Sequence, residues 1–292
     1  TVIVNKNTEC KMLTYGFASP SVSGSITQTP TGGTISVTVP NGTPLTNLTA
    51  LFSLSDSAKA FISAVIQISN ATSNNFTSQV VYKIIAQDTL YSELYFVNVI
   101  TGKSKSCDIL TYAIQTPAST GVITPNGTGG NINVTVSYGT ALNNLVAIFT
   151  LSDSATAYLS NIKQQSGITS NNFTTTLSYK IVAQDTSFSK IYIVSVTIAP
   201  NAAADLFTYN IVSPVAAGTI STTSFGGIVN ITVPFATNIT NLVAQFTISD
   251  SAKAYVNTAL QQSNITHNNY TDTLFLTVRA QDGTHTKLYK II

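Results

Sequence analysis

The chain has 292 residues, of which 8% are charged and 43% hydrophobic, and its formal net charge at pH 7 is only +2. This balance does not support nucleic-acid binding, which needs a strongly basic surface, and no run of about 18 apolar residues indicates a membrane-spanning helix. Two cysteines are too few for a disulfide-stapled scaffold. The polar residues are mostly Thr, Ser and Asn, which together with Val and Ile favour strands.

The first third of the chain is predicted to form a series of short strands. The clearest is Thr34–Val39, where polar and apolar residues alternate up to Pro40, a pattern typical of a strand with one buried face. Gly32-Gly33, Asn41-Gly42 and Asn74-Asn75 provide turn residues between strands. The other predicted strands cover residues 12–18, 22–28, 47–54, 61–67, 79–86 and 93–100.

The same pattern then recurs twice. Asp56-Ser57-Ala58 returns at Asp153 and at Asp250, a constant spacing of 97 residues without insertion or deletion. Two further motifs recur with the same spacing: Leu13-Thr14-Tyr15 as Leu110-Thr111-Tyr112 and Phe207-Thr208-Tyr209, and Ala86-Gln87-Asp88 as Ala183-Gln184-Asp185 and Ala280-Gln281-Asp282. About seven short strands per copy predict a β-sandwich.

These motifs, in this order, resemble the tandem immunoglobulin-like repeats of bacterial surface and secreted proteins. The strand that ends at Val39-Pro40 and the closing run Ala280–Thr284, followed by Tyr289, carry the resemblance, which extends over all three copies. It implies an extracellular or cell-surface location, but modules of this kind serve as stalks, spacers, adhesins and binding domains. Because Thr89 and Thr186 stand where Gly283 does, we expect that turn to be built differently in the first two copies.

The predicted fold is therefore all-β, with three tandem immunoglobulin-like β-sandwich domains arranged like beads on a string. We predict an N-terminal donor strand and linker over residues 1–9, repeat 1 over 10–103, repeat 2 over 104–200, and repeat 3, with a shortened last strand, over 201–292.

The two ends of the sequence are in phase with the repeat. Thr1 holds the repeat position of Ile292, so by phase Val2 corresponds to Val196 and Val4 to Ile198 in the last strand of repeat 2. An unfinished strand leaves unpaired backbone groups and an open apolar slot. We therefore hypothesise that one molecule donates a strand to the third repeat of the next. The predicted donor residues are Val2, Ile3 and Val4, and the predicted acceptor strand contains Leu288, Tyr289 and Ile291.

This hypothesis predicts a structural subunit of an extracellular filament, which polymerises with itself head-to-tail. A cell-surface stalk or adhesin, or a glycan-binding module, is the alternative; a loose N-terminal tail and a window from a longer repeat array also fit the phase. We expect no enzymatic activity, cofactor or metal, since the sequence lacks nucleophile-elbow, phosphate-binding and dinucleotide motifs, and His267 and His285 lack metal-type spacing.

Several residues are candidates for covalent modification. The Asp-Ser-Ala copies resemble a bacterial O-glycosylation signal but equally fit a structural turn, and Asn-x-Thr sequons are numerous. The candidate glycan acceptors are Ser57, Ser154, Ser251, Thr89, Thr273, Asn41, Asn75, Asn172 and Asn269. Cys10 and Cys107 share one repeat position and lie too far apart within a molecule for a disulfide, so they are either buried thiols or intermolecular disulfide partners.

Overall fold

The structure of the chain is a computed structural model that describes residues 5–292. The predicted donor residues Val2, Ile3 and Val4 lie outside the described residues. Over the described range the regular structure consists of β-strands and one 3₁₀ turn, Leu142–Asn144. Among these residues, no helix has the length and apolar character required to cross a membrane.

The strands follow the 97-residue period. In repeat 1 they are β1 (Met12–Phe17), β2 (Val22–Ser23), β3 (Ser25–Thr29), β4 (Gly32–Val39), β5 (Leu48–Leu54), β6 (Lys59–Ile62), β7 (Val65–Gln67), β8 (Ser73–Asn74), β9 (Val80–Ile85) and β10 (Ser92–Thr101). In repeat 2 they are β11 (Ile109–Ile114), β12 (Ser119–Asn126), β13 (Gly129–Val136), β14 (Leu145–Leu151), β15 (Thr156–Leu159), β16 (Ile162–Lys163), β17 (Ser170–Asn171), β18 (Leu177–Val182) and β19 (Ser189–Ile198). In repeat 3 they are β20 (Leu206–Ile211), β21 (Ala216–Thr223), β22 (Gly226–Ile231), β23 (Leu242–Ile248), β24 (Lys253–Val256), β25 (Ala259–Gln261), β26 (His267–Asn268), β27 (Leu274–Arg279) and β28 (Thr286–Ile291).

Repeat 1 is a sandwich of two sheets. A four-stranded sheet has the order β2-β1-β5-β8, and a six-stranded sheet has the order β3-β4-β10-β9-β6-β7. Tyr15 and Phe52 from the first sheet and Val37, Tyr82 and Val97 from the second lie in one buried core. Alternate residues face this core, as the period-two pattern predicts. The immunoglobulin-like sandwich prediction is confirmed.

A glycine marks the point where the chain passes from one sheet of each repeat to the other. In repeat 2, β12 pairs with β11 up to Thr120 and with β13 from Gly121 onward, and β21 changes partner in the same way at Gly218. A Cβ atom on Gly218 would lie 2.3 Å from the carbonyl oxygen of Tyr209, so no side chain fits at the crossing. In repeat 1 the equivalent Gly24 splits the predicted strand 22–28 into β2 and β3.

The last strand of each repeat pairs in parallel with the strand that follows the double glycine. β10 pairs with β4 over eight positions and β19 pairs with β13 over eight, but β28 pairs with β22 over four. The first glycine of each pair has a positive φ of 140 to 148°, and a Cβ on Gly129 would lie 1.7 Å from the carbonyl oxygen of Ile191. The double glycine thus permits the close approach of the closing strand.

Two details differ from the sequence-based expectations. The predicted strand 61–67 is the hairpin of β6 and β7, which turns at Ser63 with a positive φ of 54°. The turn at Thr89 and Thr186 is built in the same way as at Gly283, because the three φ values are 66, 64 and 72°. The expectation of a different turn was wrong, since Thr89 tolerates the left-handed conformation while its hydroxyl donates to the carbonyl oxygen of Asp88 at 2.6 Å.

The Ala-Gln-Asp motif anchors the segment that leads into each repeat. The side-chain oxygen of Gln87 accepts the N–H of Asn7 at 2.9 Å, and the N–H of Asp88 donates to the carbonyl oxygen of Asn7 at 3.3 Å. The same pair of bonds joins Gln184 and Asp185 to Ser104, and Gln281 and Asp282 to Asn201. The recurrence of the motif therefore has a structural cause.

The chain divides into two compact units. The first unit contains the described residues up to Asp108 together with 152–156 and 182–189, and the second contains 109–151, 157–181 and 190–292. The four- and six-stranded sheets belong to the first unit. In the second unit, the strands of repeat 3 form a sheet of the order β25-β24-β27-β28-β22-β21-β20-β23-β26. The predicted boundaries at residues 9, 103 and 200 stay predictions.

Candidate functional site

An apolar groove opens in repeat 3 beside its last strand. Its volume is about 280 Å³, and its rim is formed by the polar residues Thr271, Asp272 and Thr273. The walls come from strands and loops that are distant in sequence: Ile211, Ile231, Val233, Ile239, Leu242 and Tyr270. Ile291 and Ile292 form the end of the groove toward β28.

Repeats 1 and 2 have a buried valine at the corresponding position. Val99 on β10 is 8% exposed and Val196 on β19 is 7% exposed, and each covers the end of the strand with which it pairs. Under them, Val39 and Val136 are each 1% exposed. Val233 holds the same repeat position in repeat 3 but is only half-buried. The groove is therefore the space that a strand with an inward-facing valine fills in the other two repeats.

The backbone edge of the groove belongs to the segment that begins with β22. The N–H of Ile292 donates to the carbonyl oxygen of Val229 at 2.9 Å, and the N–H of Ile231 donates to the carbonyl oxygen of Ile292 at 2.9 Å. In repeats 1 and 2 the ladder runs on, until Gly102 and Ala199 donate to the carbonyl oxygens of Val39 and Val136 at 2.7 and 2.8 Å. The equivalent acceptor in repeat 3 is the carbonyl oxygen of Val233.

The predicted acceptor residues do not form this edge. Leu288, Tyr289 and Ile291 lie on β28, which already pairs with β22 on one side and with β27 on the other. Only Ile291 of the three lines the groove, and Leu288 is 48% exposed on the outer face. The assignment of these three residues as an acceptor strand stays a prediction.

The side walls of the groove lie outside the residues that the sequence pattern predicts for this site. Tyr270 stands where Phe76 and Phe173 lie fully buried in the other repeats, and its hydroxyl is 2.8 Å from that of Tyr209. In repeat 1, the hydroxyl partner of Tyr15 is instead Tyr82, at 3.3 Å. Burial raises the pKa of Tyr270 above its ordinary value. In the sequence, the one indication of this wall is that Tyr270 stands where the other two repeats have a phenylalanine.

A second feature is a shallow depression on the outer sheet face. In repeat 3 it is lined by Lys253, Tyr255, Arg279 and Gln281 among others. The guanidinium of Arg279 donates two hydrogen bonds to the carbonyl oxygen of Gly283, at 2.9 and 2.8 Å, which fixes its position beside Tyr255. Repeat 1 has a depression at the same repeat position, lined by Lys59, Phe61, Ile85 and Gln87.

A protein-family model described as "SGBP, N-terminal" matches residues 12–99 and, a second time, residues 109–196. The two matches together cover more than half of the chain. The chain belongs to this family. Both ends of the second match lie 97 residues after those of the first, so each SGBP N-terminal match contains one repeat in the same phase. Recognition of the chain as tandem immunoglobulin-like repeats is confirmed.

The solved structures that match this SGBP N-terminal chain have low sequence identity and low TM-scores. A Bacteroides fragilis protein described as secreted is 15% identical, with 32% of this chain and 96% of that chain covered and a TM-score of 0.26. A Bacteroides thetaiotaomicron protein described as a glycoside hydrolase is 14% identical, with 99% and 84% covered and a TM-score of 0.27. Extracellular domains 3–5 of Drosophila OTK are 10% identical, with 92% and 97% covered and a TM-score of 0.23. No curated protein matches the chain.

All nine candidate glycan acceptors are exposed: Ser57, Ser154, Ser251, Thr89, Thr273, Asn41, Asn75, Asn172 and Asn269. The Asp-Ser-Ala motif also has a structural role. Ser57, Ser154 and Ser251 adopt positive φ values of 62, 55 and 60° in a tight turn, which in repeat 1 is closed by a bond from the N–H of Ala58 to the carbonyl oxygen of Ser55 at 3.1 Å. Glycosylation stays a prediction.

Cys10 and Cys107 are buried, with 5% and 3% of their surface exposed. Burial raises the pKa of the Cys10 thiol, and the nearby carboxylates of Glu93 and Asp88 raise it further. Both effects disfavour the reactive thiolate. An intermolecular disulfide would require the surrounding strands to open, and this pairing stays a prediction.

The two histidines lie at the surface of repeat 3. His285 Nδ1 is 2.5 Å from a carboxylate oxygen of Asp282, and His267 Nδ1 is 3.4 Å from the carbonyl oxygen of Asn241. Within residues 5–292, no three His, Cys, Asp or Glu side chains are placed so that they could hold a metal ion.

Proposed function

We propose that the chain is an extracellular, non-enzymatic module of a surface glycan-capture protein, whose immunoglobulin-like repeats hold and display a glycan outside the cell. The observation that carries this proposal is the double match to the SGBP N-terminal family, a family of surface glycan-binding proteins. The exposed, weakly charged surface fits this role, because hydroxyl and amide side chains bind sugar hydroxyls without strong desolvation costs.

The depression around Tyr255 is the contact surface that we propose for the glycan. An aromatic side chain provides a flat apolar surface for the C–H groups of a sugar ring, and flanking polar groups fix its orientation. Lys253 lies two residues before Tyr255 on β24, and Arg279 lies opposite Lys253 on the adjacent strand β27; both supply hydrogen-bond donors. Their positive charge favours glycans that carry carboxylate or sulfate groups.

A glycan array probed with the chain of residues 1–292 tests this proposal, followed by calorimetry on the glycans that bind. Tyr255→Ala should weaken binding at least tenfold. Phe225→Ala is the matched control, because Phe225 is an 84% exposed aromatic residue of the same repeat outside the depression. An array without any bound glycan, obtained with folded protein, would overturn the proposal.

A structural subunit of an extracellular filament is the second candidate function. The specific observation that favours it is the apolar groove of repeat 3, whose lining residues Ile231 and Val233 leave space for a further apolar segment. Negative-stain microscopy of purified chain at increasing concentration is the direct test. Fibres with an axial repeat of one molecule support this function, and separate particles at every concentration exclude it.

A further inference from the structure

We propose that repeat 3 binds an acidic oligosaccharide in two adjoining subsites, one for an acidic sugar and one for a neutral sugar, with Tyr255 and Arg279 between them. The proposal rests on the proposed glycan-capture function, and it adds the class of glycan, the role of each subsite and the repeat that carries them. A nonspecific attraction for polyanions such as nucleic acid is an outcome of the test below.

Two shallow depressions lie side by side on the outer sheet face of repeat 3. The first, which contains Lys253 and Gln281, has a volume of about 430 Å³, and the second has a volume of about 440 Å³. Both volumes fall within the roughly 300–1,000 Å³ that is usual for small-molecule sites. Tyr255, Arg279 and Gly283 line both depressions. The remaining residues of the second depression are Asn257, Thr258, Thr277 and Thr286.

The strand register explains why these side chains share one face. Val278 on β27 is buried, so its neighbours Thr277 and Arg279 face outward. Arg279 lies directly opposite Lys253 on β24, and Thr277 lies directly opposite Tyr255. Each depression therefore combines residues of both strands, and the aromatic ring of Tyr255 lies beside the two of them.

Lys253 and Arg279 form a pair of like charges on adjacent strands, and both side chains are exposed. The two bonds from Arg279 to the carbonyl oxygen of Gly283 use Nε and Nη2, which leaves the N–H groups of Nη1 without a partner among the described residues. Like charges directly opposite each other are unfavourable. A carboxylate or sulfate between them would remove the repulsion and accept charge-assisted hydrogen bonds from both.

The carboxylates of repeat 3 do not neutralise this pair. Residues 201–292, all of which are described, contain four of them: Asp205, Asp250, Asp272 and Asp282. Asp205 forms an ion pair with Lys287 at 2.5 Å, and Asp250 accepts the hydroxyl of Tyr138. Asp282 accepts the N–H groups of its own turn, and Asp272 lies at the rim of the apolar groove. The positive charge of the first depression is therefore available to a ligand.

The second depression has a different chemistry. Apart from the shared Arg279, its polar groups are the hydroxyls of Thr258, Thr277 and Thr286 and the amide of Asn257. Hydroxyl and amide groups both donate and accept hydrogen bonds, which suits the hydroxyls of a neutral sugar. A glycan that crosses Tyr255 would thus place an acidic sugar beside Lys253 and the next, uncharged part of the chain beside Thr277.

The pair of cations is specific to repeat 3. In repeat 1, Lys59 holds the position of Lys253 but lies opposite Ile85. In repeat 2, the two positions are occupied by Thr156 and Val182. Recognition of an acidic sugar by two opposed cations is therefore assigned to repeat 3.

Calorimetric titration with oligosaccharides of one length tests the class of glycan. The probes are a tetrasaccharide of galacturonic acid, a sulfated galactan tetrasaccharide and the neutral galactan tetrasaccharide, each added to the chain of residues 1–292 at the same ionic strength. At least one of the two acidic probes should bind at least tenfold more tightly than the neutral probe. The acidic probe that binds identifies the anion as a carboxylate or a sulfate.

Two exposed lysines at one repeat position provide matched variants. Lys253→Gln removes one member of the pair and should weaken binding of the acidic probe at least fivefold, without effect on the neutral probe. Lys59→Gln is the control, because it removes the lysine at the same position of repeat 1, where no second cation lies opposite. It should leave both affinities unchanged.

Thr277→Val tests the second subsite. The change keeps a β-branched side chain on the strand but removes the hydroxyl, so it should weaken binding of the acidic tetrasaccharide severalfold. The acidic monosaccharide of the same kind occupies the first subsite alone, and its affinity should be unchanged. An NMR shift titration measures this weaker binding.

The results separate this proposal from the function on which it rests. Equal affinity for neutral and acidic probes, with both lost in Tyr255→Ala, would mean that glycan capture holds but that the assignment to acidic glycans is wrong. Unchanged binding of the acidic probe by Lys253→Gln, or equally tight binding of a single-stranded DNA oligonucleotide, would overturn the proposal. Failure of the folded chain to bind any glycan would overturn both.

Discussion

The N–H of Ile231 donates a hydrogen bond to the carbonyl oxygen of Ile292 at 2.9 Å, and at this contact repeat 3 departs from its two sister repeats. Up to this point all three repeats share strand order, register and the double glycine. Beyond it, repeats 1 and 2 continue the ladder to Val39 and Val136, while Val233 lines an open groove.

The double glycine of repeat 2 allows a prediction about stability that has a control variant close by in the sequence. Gly129 has a φ of 148°, and a Cβ on it would lie 1.7 Å from the carbonyl oxygen of Ile191, whereas a Cβ on Gly127, two residues earlier, would meet nothing within 4 Å. Gly129→Ala should lower the free energy of unfolding of repeat 2 by about 2–4 kcal/mol. Gly127→Ala should change it by less than about 0.5 kcal/mol. Urea denaturation measures both, and equal effects would contradict the assignment.

The sequence predicted the parts of the fold that depend on local pattern. Alternation at Thr34–Val39 and the recurrence of Asp-Ser-Ala were enough to place strands and turns, because these features depend on residues that are close in the chain. The crossing at Gly24 was missed because it depends on how the strand meets other strands of the fold. The hairpin at Ser63 pairs residues that are close in sequence, but its turn has a serine at positive φ where glycine or asparagine would have marked a turn.

The repeat spacing predicted where in the sequence the candidate site lies, but not which strands pair beside it. The 97-residue spacing predicted an incomplete last strand in repeat 3, and this stays a prediction. The predicted acceptor residues were Leu288, Tyr289 and Ile291, although all three are already paired on both sides. Strand neighbours follow from sheet order, and the parallel pairing of β28 with β22 joins residues about 60 positions apart, for which the sequence holds no local signal.

Tyr112 and Tyr209 are buried at the same repeat position, and they provide a second pair of variants to compare. The hydroxyl of Tyr112 is buried and, among the described residues, has no hydrogen-bond partner, whereas the hydroxyl of Tyr209 is 2.8 Å from that of Tyr270. Tyr112→Phe should leave the stability of repeat 2 unchanged or raise it by up to about 1 kcal/mol, and Tyr209→Phe should lower that of repeat 3 by about 1 kcal/mol. Thermal unfolding followed by calorimetry compares the two variants. A large loss for Tyr112→Phe would mean that its hydroxyl is bonded.

The cysteines should be unreactive in the folded protein. Cys10 and Cys107 are at most 5% exposed, and the raised pKa of Cys10 keeps its thiol protonated at neutral pH. We expect a thiol-specific chromogenic reagent at pH 8 to label the native chain at least a hundredfold more slowly than the chain in denaturant. The Cys10→Ala variant reports the labelling rate of Cys107 alone, and the Cys107→Ala variant reports that of Cys10 alone. Rapid labelling, or disulfide-linked oligomers formed without denaturant, would instead support the intermolecular disulfide.

The turn at Asp282 should make repeat 3 sensitive to acid. The carboxylate of Asp282 accepts the N–H groups of His285 at 3.1 Å and Thr284 at 2.9 Å, and these bonds hold its pKa well below the ordinary value of 3.8. Because the folded pKa is lowered, its contribution to stability is complete above the ordinary carboxyl range and is lost as the pH falls through the folded pKa.

Carbon-detected NMR titration of the carboxyl groups measures this directly. The midpoint for Asp282 should lie below 3.8, as should that of Asp185, whose pKa is lowered by the hydroxyl and N–H of Ser187. Asp282→Asn keeps the side-chain oxygen that caps the turn but removes the charge, so unfolding of repeat 3 should become less dependent on pH below 4. A midpoint for Asp282 at or above 3.8 would mean that the turn does not stabilise the carboxylate, and the acid sensitivity of repeat 3 would then need another cause.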